Sequence, residues 1–153
     1  MNKSNLFLTP EDNPKNPAFN FKNSVMEKVE NTDLFNSFIK SDNFKQEYKG
    51  TLWAEGPCYL PSKDILIWSD IPNNRMMKLS NGNVSEFRKK SNYTNGNTLD
   101  NKGNIISCSH GGRCIYKIDE NLNIIKLVDK YNGKKLNSPN DVCVKSDDTI
   151  WFT

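Results

Sequence analysis

Histidine occurs once in this chain, and its four cysteines form no CxxC pair, so a zinc cluster built on Cys and His has too few ligands. Long apolar runs are also missing. The N-terminal Leu6-Phe7-Leu8 is broken at once by Thr9-Pro10-Glu11-Asp12, which is too short for a signal peptide, and no window approaches the length of a membrane span. These absences predict a cytoplasmic chain with no membrane partner. They also predict that Cys58, Cys108, Cys114 and Cys143 stay reduced, with those in apolar runs buried. A strong charge of one sign is lacking too: the net charge is +3. Its densest basic clusters, Arg88-Lys89-Lys90 and Lys134-Lys135, read as solvated turns. A nucleic-acid groove needs a stripe of charge with interleaved aromatics, so no nucleic-acid partner is expected.

What is present is lean but sufficient for a fold. Hydrophobic residues are 35% of the 153 and charged residues 25%, short of an average globular domain but outside the disordered range. The length suits one domain. Residues 1–50 differ from the rest: Asn, Lys and Pro dominate to Lys22, and then Val25, Met26, Val29, Phe35, Phe38 and Ile39 recur at loosely helical spacing. An N-terminal extension with a flexible tip and a short helix is predicted there. From residue 51 to 153 the texture changes to short apolar runs separated by turn pairs such as Asn81-Gly82, Lys102-Gly103 and Asp147-Asp148.

Those runs repeat. One unit starts at Glu55-Gly56, runs through Ile65–Asp70 and continues at Arg75–Leu79; a second starts at Asn95-Gly96, runs through Asn104–Cys108 and continues at Cys114–Ile118. A third starts at Asn140-Asp141 and enters Thr149–Thr153. Starts spaced roughly 40–45 residues apart, with three or four short strands per unit, describe the blade of a β-propeller. The expected fold is therefore all-β, a partial propeller of about two and a half blades. Each unit opens with a polar pair on the strand that lines a propeller's channel, and converging carboxylate and amide oxygens suit a hard cation. Asn-Gly and Asn-Asp are also ordinary turn pairs, so the spacing alone leaves both readings open.

Five stretches carry a resemblance to a known family: Trp53–Pro57, Ser69–Arg75, Thr94–Asp100, Ser109–Arg113 and Leu136–Val142, followed by Ile150–Thr153. They resemble, in order, the gluconolactonases and regucalcin, the senescence marker protein. That resemblance implies a six-bladed propeller, hydrolase activity on sugar lactones, and one divalent metal in the channel. Calcium is the expected ion, with zinc, magnesium or manganese as alternatives. It assigns metal ligation to Glu55 and Asn140. Asn95, Asn137 and His110 are expected to meet the hydroxyls of a sugar lactone, Asp141 to orient Asn140, and His110 to be a candidate acid or base. The family's carboxylate base comes from a later blade, beyond Thr153. Six blades need roughly 240 residues or more. The chain accordingly reads as truncated, split or fragmentary, inactive by itself, and open to self-association through an unclosed propeller edge. A non-catalytic propeller serving as a binding module, or an inactive remnant, is the alternative.

Overall fold

The computed structural model describes residues 46–153, so the short helix and flexible tip expected within 1–50 lie outside the described residues. Residues 46–50 are exposed chain outside any strand. The rest is all-β: among the described residues there is no helix, and every strand pairing is antiparallel. No helix there is long and apolar enough to cross a membrane.

Strands β1 (Ala54–Leu60), β2 (Ile65–Asp70), β3 (Arg75–Ser80) and β4 (Asn83–Lys89) form one four-stranded sheet in chain order. Strands β5 (Thr94–Leu99), β6 (Ile105–Ser109), β7 (Cys114–Ile118) and β8 (Ile124–Val128) form a second with the same order. A small hairpin, β9 (Lys130–Tyr131) with β10 (Lys134–Lys135), leads to the pair β11 (Val142–Val144) and β12 (Ile150–Phe152). The repeat seen in the sequence is thus a repeat of sheets. Its turns have a local cause. Asn81-Gly82 and Asn132-Gly133 both carry two successive positive φ angles (49° and 73°, 48° and 76°), which a two-residue hairpin demands because its twist must match the strands it joins.

The sheets are held to one another by two apolar seams. Cys58, Leu60, Ile67 and Met76 of the first sheet interdigitate with Ile105, Cys114, Tyr116 and Ile118 of the second. Ile106, Cys108 and Ile115 then meet Val142, with Val144 and Ile150 packed alongside. Alternation explains the double use of the second sheet: β6 is buried along its whole length, Ile105 facing one seam and Ile106 the other. A fully buried side chain such as Ile67 or Ile115 contributes about 1.5–3 kcal/mol. Strand β5 adjoins β1 on one side and β11 on the other, so the first strands of the three units lie together.

Two sequence expectations need correction. Arg88 and Lys89 are not turn residues but lie on β4, and Lys134-Lys135 form β10. Lysine is at home on edge strands, where it blocks further pairing. Arg88 is drawn inward instead, its guanidinium 5.1 Å from the centre of the Tyr116 ring and its Nη1 donating to the Tyr116 hydroxyl at 2.8 Å. The cysteines are all free, with Cys58, Cys108 and Cys114 buried and Cys143 exposed.

Candidate functional site

Both inner strands carry a bulge near their start. The register of β1 against β2 shifts between Glu55 and Cys58, and that of β5 against β6 between Thr94 and Asn97. A bulge re-aims the side chains at its centre. Gly56 makes the first bulge feasible: its φ is +54°, and a side chain there would collide with the Asn95 carbonyl and the Asn97 amide. Gly96 serves the second by close approach, since its N–H donates 2.9 Å to the Asn140 carbonyl and a Cβ would strike Asp141.

Asn140 and Asp141 precede β11 and are not part of its ladder. They are nevertheless tied to the end of β12, Asn140 N donating to the Thr153 carbonyl at 2.7 Å and Thr153 N to the Asp141 carbonyl at 3.0 Å. The third unit therefore presents its polar pair through an interrupted ladder, as the first two do.

The result is a cavity of about 320 Å³ lined by Glu55, Asn95, Asn140 and Asp141, with Gly56 and Gly96 in its wall. The Asn95 amide nitrogen lies 2.5 Å from Asn140 Oδ1 and 2.9 Å from His110 Nε2. Its two hydrogens can serve both acceptors if the His110 ring is neutral. Burial drives the His110 pKa below its ordinary value, opposed by a hydrogen bond to Asn140 and by the negative charge of Glu55. Glu55 and Asn140 are exposed to the cavity, whereas Asn95 is buried. Among the described residues no cation pairs with Glu55.

Four sequence-predicted residues thus meet: Glu55, Asn95, His110 and Asn140. Asp141 lines the same cavity, but its carboxylate accepts from Val142 N at 2.9 Å, a turn brace, and it is Asn95 that holds the Asn140 side chain. Asn137 is exposed and stands outside the lining. Sequence reasoning missed Asn97, a buried amide between the two bulges; only its place in the Asn-Gly-Asn triplet hinted at it.

The donors suit a hard cation in kind. Among the described residues no cation pairs with the Glu55 carboxylate, and Asn140 Oδ1, which accepts from Asn95, is a second hard oxygen beside the same cavity. They are few in number: among the described residues no three His, Cys, Asp or Glu side chains converge as metal ligands. A larger cleft of about 630 Å³ lies among the hairpin turns around Ser62, Gly103 and Asn121. Its Asp119 is occupied in bracing its own turn through Asn121 N and Asn123 N, and no comparable set of donors converges there.

Residues 53–153 match the family described as the SMP-30/Gluconolactonase/LRE-like region. A gluconolactonase of Zymomonas mobilis is 32% identical over 116 residues, covering 66% of this chain and 33% of that protein. The solved structure of a gluconolactonase from Xanthomonas campestris is 38% identical with a TM-score of 0.64, covering 66% of this chain and 34% of the other. A virginiamycin B lyase from Staphylococcus aureus, 18% identical, aligns over 72% of this chain and 37% of its own with a TM-score of 0.54, a likeness of fold alone. The chain spans about a third of the length of these relatives.

Proposed function

Because the chain belongs, through residues 53–153, to the SMP-30/gluconolactonase/LRE-like family, we propose that its sheets are the first blades of a propeller and that the Glu55 cavity belongs to a metal-dependent site for sugar-lactone hydrolysis. The observation that carries this reading is the meeting of Glu55, Asn95 and Asn140, one from each unit, around one cavity. A binding platform has no need to gather oxygen donors there.

In this reading Glu55 and Asn140 hold one divalent ion, calcium suiting their hard oxygens, with magnesium, manganese or zinc accepting the same donors. When bound, the ion supplies a fixed positive charge that polarises the lactone carbonyl. Asn95 fixes the Asn140 amide and reaches His110 with its other hydrogen, and a sugar hydroxyl would meet His110 in exchange for that bond. Asn137, exposed and three residues before Asn140 in the chain, is a further polar contact proposed for a polyol. The groups that could take the proton from water are each engaged: Glu55 as a ligand, Asp141 as a turn brace and His110 Nε2 in its contact with the Asn95 amide. The chain alone is therefore expected to hydrolyse glucono-lactone at the background rate. Self-association of the chain would act through the exposed Ile124, Ile125 and Leu127 of β8 and Trp151 of β12.

Calcium titration by calorimetry tests the reading. The chain should bind calcium with a dissociation constant on the order of 1 mM, as expected of a site short of donors. Glu55→Gln should abolish the heat. Equal binding by Glu55→Gln and the parent would remove the cavity from consideration.

A further inference from the structure

One side chain reaches both bulges that shape the cavity. The Asn97 amide nitrogen lies 2.9 Å from the Gly56 carbonyl of the first sheet and 2.9 Å from the Asn95 carbonyl of its own sheet. It also lies 2.9 Å from Ser69 Oγ, which donates in turn to the Asn95 carbonyl at 2.6 Å. Ser107 Oγ donates to Asn97 Oδ1 at 2.6 Å, and the two carbonyls, which can only accept, fix which end of the amide faces them. Asn97 is 7% exposed and both serines 0%, so water does not compete for these bonds.

We propose that Asn97 is a positioning residue for the cation site, clamping the Glu55–Gly56 bulge of the first sheet to the Asn95–Gly96 bulge of the second. The inference rests on the reading of the cavity as a cation site and adds what sets its geometry. Gly56 follows Glu55 directly, so the place of its carbonyl governs where the Glu55 carboxylate stands. Asn95 in turn holds Asn140, so the same amide fixes the carboxylate donor directly and the amide donor at one remove. Removing the clamp takes a donor from the Gly56 carbonyl and leaves the Asn95 carbonyl to Ser69 alone, so nothing bridges the two bulges. The bulges then relax apart, and a site loosened by about 1 Å is a poor ligand cage. Residues that support metal ligands in this way typically change affinity 10- to 100-fold when lost.

Terbium, a hard oxygen-seeking ion, reports the site by tryptophan-sensitised luminescence on the 153-residue chain. Asn97→Leu and Asn97→Asp keep the side-chain size and lose the donors. Each should weaken terbium binding roughly 10-fold or more while circular dichroism keeps the strand signal. Ile67→Val, which removes a methyl group from the fully buried seam between the same sheets, should lower Tm while leaving the affinity within about twofold. That split separates positioning from stability. A folded Asn97 variant that binds as tightly as the parent overturns the proposal, as does an equal loss in Ile67→Val. Should both Asn97 variants fail to fold, NMR of the parent decides: the Asn97 side-chain amide protons should be slow to exchange and should shift on adding lanthanum, and unmoved resonances overturn the clamp. Terbium binding that Glu55→Gln does not weaken would instead overturn the cavity reading itself.

Discussion

Gly96→Ala puts the seam between β5 and the Asn140 loop to a quantitative test. A Cβ at this position would lie 2.7 Å from Asp141 Cα and 2.8 Å from the Asn140 carbonyl oxygen, and closer still to Asp141 Oδ1. Two of those three atoms are backbone and cannot swing aside, so the loop must move as a unit. Overpacking of this kind costs about 1–3 kcal/mol. The displacement also stretches the Gly96 N to Asn140 O hydrogen bond, 2.9 Å long, worth about 1 kcal/mol. The expected loss is therefore roughly 2–4 kcal/mol, enough to lower Tm by about 10 °C or more in a domain of this size. Gly82→Ala is the control: nothing lies within 4 Å of its Cβ, and only its φ of +73° argues against a side chain, at about 1 kcal/mol. Urea denaturation of the three proteins measures both changes. If Gly96→Ala loses no more stability than Gly82→Ala, the close approach of Asn140-Asp141 to β5 is not what holds the third unit in place.

Asp70 is fully buried, accepting from Arg75 Nε and Asn73 Nδ2 at 2.8 Å each and from Leu52 N at 3.1 Å. Asp70→Ala removes the acceptor shared by the Leu52 amide, Asn73 and Arg75, whose guanidinium keeps Glu86 and the Gly50 carbonyl, and should cost about 2–3 kcal/mol in denaturant unfolding; a loss under about 1 kcal/mol would show that the network is incidental. Burial raises the Cys58, Cys108 and Cys114 thiols, Cys108 to about 12, so a colorimetric thiol reagent should modify the exposed Cys143 rapidly and the other three only after denaturation. Two fast thiols would contradict the packing of one seam. Asp147 is held down at about 2, first by a hydrogen bond from Lys145 and then by the Thr149 hydroxyl and amide. Its folded pKa is below its unfolded one, so its contribution is complete above the unfolded value near 3.9 and disappears as pH falls through about 2. NMR titration of the Asp147 carboxyl should show this low value and a rise in Lys145→Ala; no change between the two would assign the shift elsewhere.

The fold was legible where residue type and backbone are locally coupled. Asn81-Gly82 marks a turn because few other residues accept two positive φ angles in succession, and Ile65–Asp70 marks a strand because it opens as a short apolar run and lies between turn residues. Legibility failed where the cause lies across sheets. Arg88 looks like any solvated base in sequence; only the packing of β4 beside Tyr116 gives it a ring to cover. Lys134-Lys135 were read as a turn on charge alone, although Asn132-Gly133 just before them already supplies the turn. Within the site, Glu55, Asn95 and Asn140 were readable because each stands at the same offset in its unit. Asn137 has no such anchor, since the irregular chain before β11 has no period to aim a side chain, and it falls outside the cavity. Asn97 was hidden for a different reason: its importance lies in acceptors on another sheet, and nothing in a strand's pattern states which carbonyls will face it.

The two seams that build the cavity solve opposite problems. Between the first and second sheets the bulges turn the Gly56 and Asn95 carbonyls toward each other, and donors have to be inserted, which Asn97 supplies to both and Ser69 to Asn95. Between the second and third units the backbones themselves touch, Gly96 N to Asn140 O, and what is required is the absence of a side chain. Glu55 therefore takes its position relative to Asn95 from a side-chain amide, and Asn140 takes its position from direct backbone contact. The two meet at Asn95, whose carbonyl accepts from Asn97 and whose amide holds Asn140, so the two halves of the donor set should loosen together. Sites with no shared partner add in free energy, whereas a shared rigid frame would couple them. Asn97→Leu and Gly96→Ala act on neighbouring residues of one bulge, so a double-mutant cycle read by terbium affinity tells the cases apart. Additive losses would mean two separate seams, and a double variant no worse than either single would mean that the β5 bulge is one unit whose integrity alone decides whether Glu55 and Asn140 face the same ion.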